Sequence, residues 1–357
     1  MHVFEAGKLR EFCKDVLTRL DVPEEDAAVV AEALVKADLE GVASHGISRL
    51  GIYSQRLMDG RINRRPNITI EQRGHSVLVA DGDNGLGQVV SYHAVVRGIE
   101  LAKQAGVAAI AVKNSNHFGT AAYFCQMICE RNMASIGFTN SPPGIAPWGG
   151  RAAFFGTNPI AFGFPTENGV PVIIDLSTSV VARGKIILAN KQGLPIPDHW
   201  ALDQDGNMTN DAGEALKGSV LPLGGAKGSA LALAVEILTG VLSGAAFGPH
   251  VNNIYSDESS KPANVGHFFI LFDIEKFMPI AAFKEYLAQL LQEMKEVPKV
   301  PGTTEIRYPG ERRHNESRKR ASKGVALSDS VQQELKQIGA KVKAVFPEPL
   351  CVKEGTL

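Results

Sequence analysis

The chain has 357 residues, of which 44% are hydrophobic and 21% are charged, and this ordinary globular composition excludes wholesale disorder. At roughly 150 residues per domain, the length predicts about two domains. The 37 Lys and Arg residues nearly balance the 38 Asp and Glu residues, to a net charge of −1. That balance argues against nucleic acid or an anionic membrane as the main partner, and it leaves a local basic site open.

The sequence carries no pattern typical of secretion, membrane insertion or dedicated metal binding. Residues 1–12 mix acidic and basic side chains and have no apolar core, so no signal peptide is expected there. The most apolar stretch, residues 230–248, is interrupted by Glu236 and several glycines, which argues against a membrane span. The chain contains no HExxH and no CxxC pattern. These features predict a soluble, reduced, cytoplasmic protein without a metal site.

The first 60 residues predict three helices. In the first, apolar residues recur at helical spacing from Leu9 to Leu20. The second begins at the acidic residues after Pro23, where the helix dipole favours negative charge, and runs to Gly41. Ser44 can cap a third helix that runs from His45 to about Met58.

The middle of the chain alternates strand and helix patterns. Strands are predicted over 76–80, 107–112 and 134–139, and helices over 89–105 and 120–132. Strand, helix and strand joined by short connections indicate right-handed parallel crossovers. Residues 159–164 and 170–176 then predict a hairpin. Longer helices are expected over 230–242, 279–294 and 328–342.

The predicted fold class is α/β, with helical segments at both ends of the chain. Residues 1–75 and 312–357 are expected to pack as one helical domain, and residues 76–311 form the α/β domain. Gly85-Leu86-Gly87 follows a strand, but Val90 stands where a dinucleotide fingerprint needs its third glycine, so a Rossmann domain is not favoured. Residues 301–323 are polar and basic; a solvated connection is expected there, and a phosphate-facing strip is the alternative.

A histidine and an arginine one turn apart open the third predicted helix. At about 100° per residue, His45, Arg49 and Arg56 share one face, while Ile47 and Leu50 lie on the other. The first two side chains would place a proton-transfer group beside a bidentate carboxylate clamp. The dipole at a helix amino terminus disfavours imidazolium, which suits a base that must begin neutral. A solvated polar face is the alternative.

Polar loops follow two of the predicted strands. Residues 114–120 follow one strand, and residues 140–143 follow the next strand along the chain. If these strands are parallel neighbours, both loops lie at the carboxyl edge of the sheet, where open α/β sheets bind ligands. Residues 221–229 place glycines and Lys227 at a helix start, a possible anion cradle, although helix capping alone explains the pattern equally well. Five other histidines are expected to be structural or surface residues: His75, His93, His199, His250 and His267.

Taken in order, these segments resemble the malate/L-lactate dehydrogenase-like family, also called the sulfolactate dehydrogenase-like family, which is distinct from the Rossmann-type enzymes. The shared motifs are SHG, NSNHFG, TNSPP, PWGG, GTNP, DLSTS, GGAKG and Tyr308-Pro309-Gly310-Glu311. The resemblance implies a non-Rossmann, mixed-sheet nicotinamide-binding domain beside the helical domain. It also implies a homodimer with the active site near the subunit interface, and interconversion of a small 2-hydroxy acid and its 2-oxo acid. NAD or NADP would be the cofactor, with NAD slightly favoured.

The resemblance also assigns residues to roles. His45 of the SHG motif would be the proton donor or acceptor with Ser44 as its partner, and His117 would lie at the same active site. Apart from the resemblance, charge predicts that Arg49 binds the substrate carboxylate, and Arg56, Arg183 and Lys185 are unranked candidates for binding a second anionic group of the substrate. The cofactor contacts carry over onto Ser141, Asp175, Leu176, Ser177, Lys227, Gly228, Pro309, Gly310 and Glu311.

Other functions stay open on sequence alone. A ureidoglycolate-type dehydrogenase and a cyclic-imine reductase belong to the same family. The reductase is less favoured, since members of that type tend to carry an acid after Ala-Arg-Gly, where this chain has Lys185. A cofactor-free lyase or hydrolase could use His45 and His117 as acid and base. A non-catalytic module that only holds a carboxylate is the remaining alternative.

Overall fold

A computed structural model describes residues 2–254 and 261–350 of the chain. The strands are β1 His2–Phe4, β2 Thr69–Gly74, β3 Val77–Asp81, β4 Val107–Ser115, β5 Met133–Thr139, β6 Ile160–Phe164, β7 Val172–Leu176, β8 Ala201–Leu202, β9 Met208–Thr209, β10 Ser219–Val220, β11 Val265–Asp273 and β12 Val325–Leu327. The helices are α1 Ala6–Arg19, α2 Glu24–Leu39, α3 Leu50–Met58, α4 Gly87–Ala105, α5 Ala121–Cys129, α6 Arg183–Gln192, α7 Ala212–Lys217, α8 Ala226–Glu236, α9 Ile280–Glu296, α10 Glu311–Lys323 and α11 Asp329–Val342.

Seven strands form one mixed sheet in the order β2-β3-β4-β11-β5-β6-β7. β3 and β4 are parallel and joined through α4, which confirms the first predicted crossover. β6 and β7 form the predicted antiparallel hairpin. The expectation that β4 and β5 are neighbours is wrong, because β11 lies between them and is antiparallel to both. The continuous apolar run of β11 suits a central strand that is covered on both faces.

The polar loops nevertheless meet at one edge of this sheet. β4 and β5 run in the same direction on either side of β11, so Ser115 lies opposite Val265 and Thr139 lies opposite His267. β7 ends beside the start of β6, where Leu176 pairs with Ile160. The loops after β4, β5 and β7 therefore share the edge at which β11 begins.

Both ends of the chain build a separate helical core. β1 pairs antiparallel with β12, and α1, α2, α3 and α11 pack around a common set of buried apolar residues. A second core lies between the sheet and helices α4 and α5. A small lobe consists of α6, α7 and the three-stranded sheet β10-β8-β9. The domain boundaries at residues 75 and 311 stay a prediction; β2, before the first boundary, pairs within the large sheet, and residues 351–357 lie outside the described residues.

The third predicted helix begins later than the sequence suggests. The chain makes two 3₁₀ turns, Ala43–His45 and Ile47–Arg49, around an extended Gly46 before α3 starts. This break shifts the helical phase, so the prediction that Arg56 shares the exposed face of His45 is wrong. The Arg56 side chain is only 2% exposed, and its burial, with the nearby charge of Arg61, lowers its pKa.

The second half of the basic connection is helical, whereas residues 301–310 are irregular and mostly exposed, as expected of a solvated link. Residues 311–323 form α10, which turns Arg313 and Arg320 toward the protein. Arg320 donates a hydrogen bond from Nη1 to the carbonyl of Asp38 at 2.8 Å. These two arginines are seven residues apart and so lie on one face of the helix.

α8 extends the predicted 230–242 helix to an earlier start and continues into the π-helical segment Ile237–Leu242. At Gly266, where β11 begins, a Cβ atom would overlap the carbonyl of Thr239 in this widened turn. On the outer side, α8 and the π segment expose several apolar side chains: Leu231, Leu233, Ile237, Val241 and Leu242. Within residues 2–254 and 261–350, no helix combines the length and the apolar character that a membrane crossing requires.

Candidate active site

Two histidines from distant segments face each other at the sheet edge. His45 lies in the first 3₁₀ turn, and His117 lies in the loop after β4. Their ring centroids are 5.5 Å apart, and the ring planes are inclined by 25°. The fold thus brings the SHG and NSNHFG segments into one place.

The surroundings of His45 keep its imidazole neutral. Its Nδ1 lies 2.9 Å from the hydroxyl of Ser44, and Arg49 donates from Nε to the Ser44 carbonyl at 2.5 Å. Burial, followed by the positive charges of Arg49 and Arg313, lowers the pKa of His45 to about 4. A neutral imidazole with an arginine beside it can accept a proton from a bound anion.

His117 is held still more firmly in the neutral form. Its Nδ1 lies 2.6 Å from the hydroxyl of Tyr53. Burial, with the nearby charges of His45, Arg49 and His267, holds the pKa of His117 well below its ordinary value. Tyr53 could not be predicted as a site residue from the sequence, because a tyrosine at helical spacing is indistinguishable from a core residue.

A buried ion-pair network ties the helical part to the end of β7. Arg313 donates from Nη2 to Asp175 at 3.1 Å and from Nη1 to Glu40 at 3.3 Å. Asp175 also accepts the backbone N–H of Ala122, at the start of α5, at 3.3 Å. Burial raises the pKa of Asp175, although the Arg313 charge opposes that shift. Sequence reasoning missed Arg313; its spacing of seven residues from Arg320 was the available signal.

The expected cofactor residues after β5 and β7 lie side by side with the start of α8. The hydroxyl of Ser141 accepts the N–H of Thr157 at 3.1 Å, and the carbonyl of Thr157 accepts the N–H of Thr178 at 2.9 Å. Leu223 then donates its N–H to the carbonyl of Thr178 at 2.8 Å. Ser141, the backbone of Thr178 next to Ser177, and the glycine-rich turn before Lys227 are thereby joined by successive hydrogen bonds.

The buried carboxylate of Glu236 accepts hydrogen bonds from several of these loops. Glu236, near the end of α8, accepts hydrogen bonds from Asn158 at 2.6 Å, from the N–H of Gly248 at 2.7 Å and from Asn140 at 3.2 Å. Each donor belongs to a different segment. Because a buried carboxylate needs such partners, this set of bonds fixes the loops relative to α8.

The start of α8 has the form of an anion cradle. Gly224 and Gly225 adopt φ values of +60° and +65°, which side chains rarely tolerate. At Gly228 a Cβ atom would overlap the carbonyl of Leu223, so the turn closes only around glycine. Lys227 is exposed beside the free amides of the first turn. Such a helix start binds phosphate or another anion.

Other predicted site residues lie elsewhere in the chain. Pro309, Gly310 and Glu311 pack against the start of β7, where Ile173 donates its N–H to the Pro309 carbonyl at 2.9 Å. Leu176, at the far end of β7, is partly exposed at the sheet edge. Arg183 is exposed on the small lobe and donates to the Leu216 carbonyl at 3.1 Å. Among the described residues, no group of three His, Cys, Asp or Glu side chains is arranged to hold a metal ion.

Comparison with known families decides the relationship that the motifs suggest. A family model described as malate/L-lactate dehydrogenase matches residues 4–336. The chain belongs to this family. The malate dehydrogenase of Pyrococcus horikoshii is 41% identical over 343 residues, which is 94% of this chain and 94% of the relative.

Solved structures share the whole fold. The malate dehydrogenase structure from Pyrococcus horikoshii superposes with a TM-score of 0.88 and 39% identity, and the match covers 98% of this chain and 97% of that one. The sulfolactate dehydrogenase from Methanocaldococcus jannaschii superposes with a TM-score of 0.89 and 38% identity, covering 96% and 98% of the two chains. The non-Rossmann mixed sheet expected from the resemblance is confirmed.

Two further relatives carry cofactors in their names. The (2R)-3-sulfolactate dehydrogenase (NADP(+)) of Chromohalobacter salexigens is 39% identical over 90% of this chain and 93% of its own length. The ureidoglycolate dehydrogenase (NAD(+)) of Escherichia coli is 33% identical over 92% of this chain and 93% of its own length. Family membership therefore leaves both the substrate and the choice of nicotinamide cofactor unassigned.

The glycine of the SHG segment offers a test of how tightly the site is packed. A Cβ atom at Gly46 would overlap the carboxyl group of Asp38, which is buried and accepts the N–H of Ile47 at 2.6 Å. We expect Gly46→Ala to lower the free energy of unfolding by about 1–3 kcal/mol, since the added methyl overpacks a closed contact. Chemical denaturation measures this loss.

The matched control is Gly184→Ala, because nothing lies within 4 Å of a Cβ atom built at Gly184. Its unfolding midpoint should not fall below the wild-type value, because alanine is favoured over glycine at an unstrained helical position. An unchanged midpoint in Gly46→Ala would show that the contact with Asp38 relaxes at no cost.

Proposed function

We propose that the protein is an NAD(P)-dependent dehydrogenase that interconverts a small 2-hydroxy acid and its 2-oxo acid. The observation that carries the proposal is the pairing of the neutral His45 and His117 rings, 5.5 Å apart, next to Arg49. Family membership supports it, and so do relatives named for malate, sulfolactate and ureidoglycolate, all of which are 2-hydroxy acids.

The residues present suit a nicotinamide cofactor. The glycine-rich turn, Lys227 and the first amides of α8 would hold its phosphates, and Gly228 closes that turn. Ser141 and Ser177 lie beside this turn, next to the exposed Leu176. Asp175 would contribute indirectly, through its hydrogen bond with Arg313. When bound, the nicotinamide exchanges a hydride with the α-carbon of the substrate.

The chain itself supplies the anion clamp and the proton transfer. Arg49 would bind the substrate carboxylate through its guanidinium, which lies close enough to both imidazoles to lower their pKa. In the oxidative direction His45 accepts the hydroxyl proton, as its neutral form permits. In the reductive direction protonated His45 returns that proton to the oxygen as negative charge develops there. Ser44, hydrogen-bonded to Nδ1 at 2.9 Å, orients the ring.

A panel assay tests the function directly. Purified protein should oxidise NADH or NADPH in the presence of at least one of oxaloacetate, pyruvate, sulfopyruvate, the 2-oxo form of ureidoglycolate or Δ1-piperideine-2-carboxylate. NADH alone should raise the melting temperature, because binding to the folded state stabilises it. Turnover of the cyclic imine alone would assign the protein to the reductase branch. No response to either reduced cofactor would favour a cofactor-free lyase.

Removal of the proposed acid–base group should affect turnover more than cofactor binding. We expect His45→Ala to lose about 10²- to 10⁴-fold in kcat, the usual value of general acid–base catalysis. Its dissociation constant for the cofactor should change little, as fluorescence titration can measure. His75→Ala, at an exposed turn, is the matched control. Near-normal turnover in His45→Ala would remove His45 from the mechanism.

The pH profile gives the same assignment a second readout. Because the pKa of His45 is lowered to about 4, the base is already neutral across the physiological range. We therefore expect kcat/KM for oxidation to be nearly flat from pH 8 down to about pH 5 and to fall only as the pH approaches 4. In the reductive direction the need for protonated His45 should make kcat/KM rise with acidity. An oxidative profile that falls near pH 6.5 would point to a different base.

The outer face of α8 supports a homodimer. Its exposed apolar residues spread over one broad face of the helix, and Val241 is 61% exposed. Lys227 lies on the first turn of this helix, so a second copy seated on this face would adjoin the proposed cofactor cradle. A two-fold contact of this kind pairs the same surface on both subunits.

We expect Leu233→Glu combined with Val241→Glu to convert the dimer into a monomer in sedimentation velocity runs. The carboxylates would be buried without partners at the contact, which strongly disfavours association. Val345→Glu is the control, since Val345 is 87% exposed and lies on the far carboxyl-terminal segment. A wild-type protein that sediments as a monomer at micromolar concentration would contradict this part of the proposal.

A further inference from the structure

We propose that Tyr53 is a positioning residue that fixes the tautomer of His117, so that His117 presents Nε2–H as a permanent hydrogen-bond donor at the active site. His45 is then left as the group that exchanges protons. The functional part of this inference rests on the dehydrogenase proposal, whereas the tautomer itself does not.

The hydroxyl of Tyr53 lies between a glutamine amide and the histidine ring. Tyr53 is buried in α3, and its hydroxyl lies 2.6 Å from Nδ1 of His117. Gln88 of α4 donates from Nε2 to the same hydroxyl at 3.2 Å. A phenol oxygen that accepts one hydrogen bond can still donate its own proton, and Nδ1 of His117 is within reach of that proton.

A second donor reaches the same histidine nitrogen. The backbone N–H of Gly119 lies 3.4 Å from Nδ1 of His117. A backbone amide can only donate, so this contact requires a lone pair on Nδ1 and does not depend on how the Gln88 amide is oriented. With Nδ1 occupied as an acceptor, the proton of the neutral ring is on Nε2.

The surroundings also keep His117 from becoming a cation. The ring is partly buried, and the ionisable groups whose charges act on it, His45, Arg49 and His267, are each neutral or positive. His267 is itself fixed by the hydroxyls of Thr139 at 2.7 Å and Ser115 at 2.8 Å. His117 is therefore a fixed neutral donor, whereas Nδ1 of His45 lies beside the Ser44 hydroxyl, which can either donate or accept.

This division of roles has a chemical consequence. A neutral N–H aimed at the substrate oxygen stabilises the negative charge that develops there during reduction, without giving up its proton. In the other tautomer Nε2 would present a lone pair to the same oxygen and repel it. Removing the Tyr53 hydroxyl leaves Nδ1 with the long Gly119 contact alone, so the unproductive tautomer becomes populated.

The experiment compares wild-type protein with Tyr53→Phe, both labelled with ¹⁵N-histidine. Long-range ¹H–¹⁵N spectra distinguish the two neutral tautomers by their nitrogen shifts, and His117→Gln assigns the signals. We expect a single Nε2–H tautomer in the wild type and a mixture in Tyr53→Phe. The kcat of the variant should fall about 10- to 100-fold, the effect of one lost buried hydrogen bond, with the cofactor dissociation constant unchanged.

Controls separate this role from a general loss of structure. Tyr286→Phe removes a hydroxyl from a side chain that is 66% exposed and should change neither spectrum nor kcat. Gln88→Met removes the donor behind Tyr53 and should shift the tautomer balance in the same direction by a smaller amount. It also provides a readout if Tyr53→Phe does not fold.

Two results would overturn the inference: an Nδ1–H tautomer in the wild type, or an Nε2–H tautomer that persists in full when Tyr53 or Gln88 is replaced. If the tautomer shifts as expected but no 2-oxo acid is reduced by the wild type, the tautomer assignment stands and the proposed function fails. The two proposals are thus tested separately.

Discussion

The pairing of β11 with both β4 and β5 is the constraint on which the site depends. It brings the ends of two strands that are distant in sequence to either side of one strand start. His267, near the start of β11, then joins those ends through its ring nitrogens, at 2.8 Å from Ser115 and 2.7 Å from Thr139. Burial lowers the pKa of His267 to about 3, so this junction stays uncharged. The loops that carry His117 and Ser141 therefore leave the sheet from a fixed base.

Buried ion pairs fix the helical part of the chain relative to the sheet. Arg313 spans from Glu40 at the end of α2 to Asp175 at the end of β7, and all three side chains are largely buried. A buried ion pair gains less stability than its Coulomb energy suggests, because both ions must leave water. Its contribution here is geometric, since it holds the segment after α2, which bears His45, against the edge that bears the other loops.

Local sequence pattern was sufficient to predict much of the fold. The crossover from β3 through α4 to β4, the β6–β7 hairpin and α11 all follow from periodicity and turn residues, which act over a few neighbours. The neighbours of β4 do not follow, because β11 enters the sheet from a segment far along the chain. The phase of α3 was missed for a different reason: the extended conformation of Gly46 depends on the carboxylate of Asp38, a contact that no periodicity reports.

In the candidate site, too, the residues in recognisable motifs were predicted, and those that depend on long-range contacts were not. The meeting of His45 and His117 is the arrangement that the motifs imply, since both sit in short polar segments with a family pattern. Arg56 was misplaced because its position was projected along a helix that does not continue through Gly46. Arg313, Tyr53 and Glu236 were missed because each looks ordinary in its own segment: one basic residue of many, one aromatic of a helix, one acid in an apolar run. Only their distant partners reveal them.

The π-helical turn after α8 has a mechanical consequence. Where Gly266 meets Thr239, backbone touches backbone without an intervening side chain, so the helix cannot slide along its own axis relative to β11. The spacing between the glycine-rich turn at one end of α8 and the histidine loop beyond β4 is therefore set during folding. Under the proposed function, an incoming anion would find that spacing already established, and its binding energy would not be consumed in drawing the two loops together.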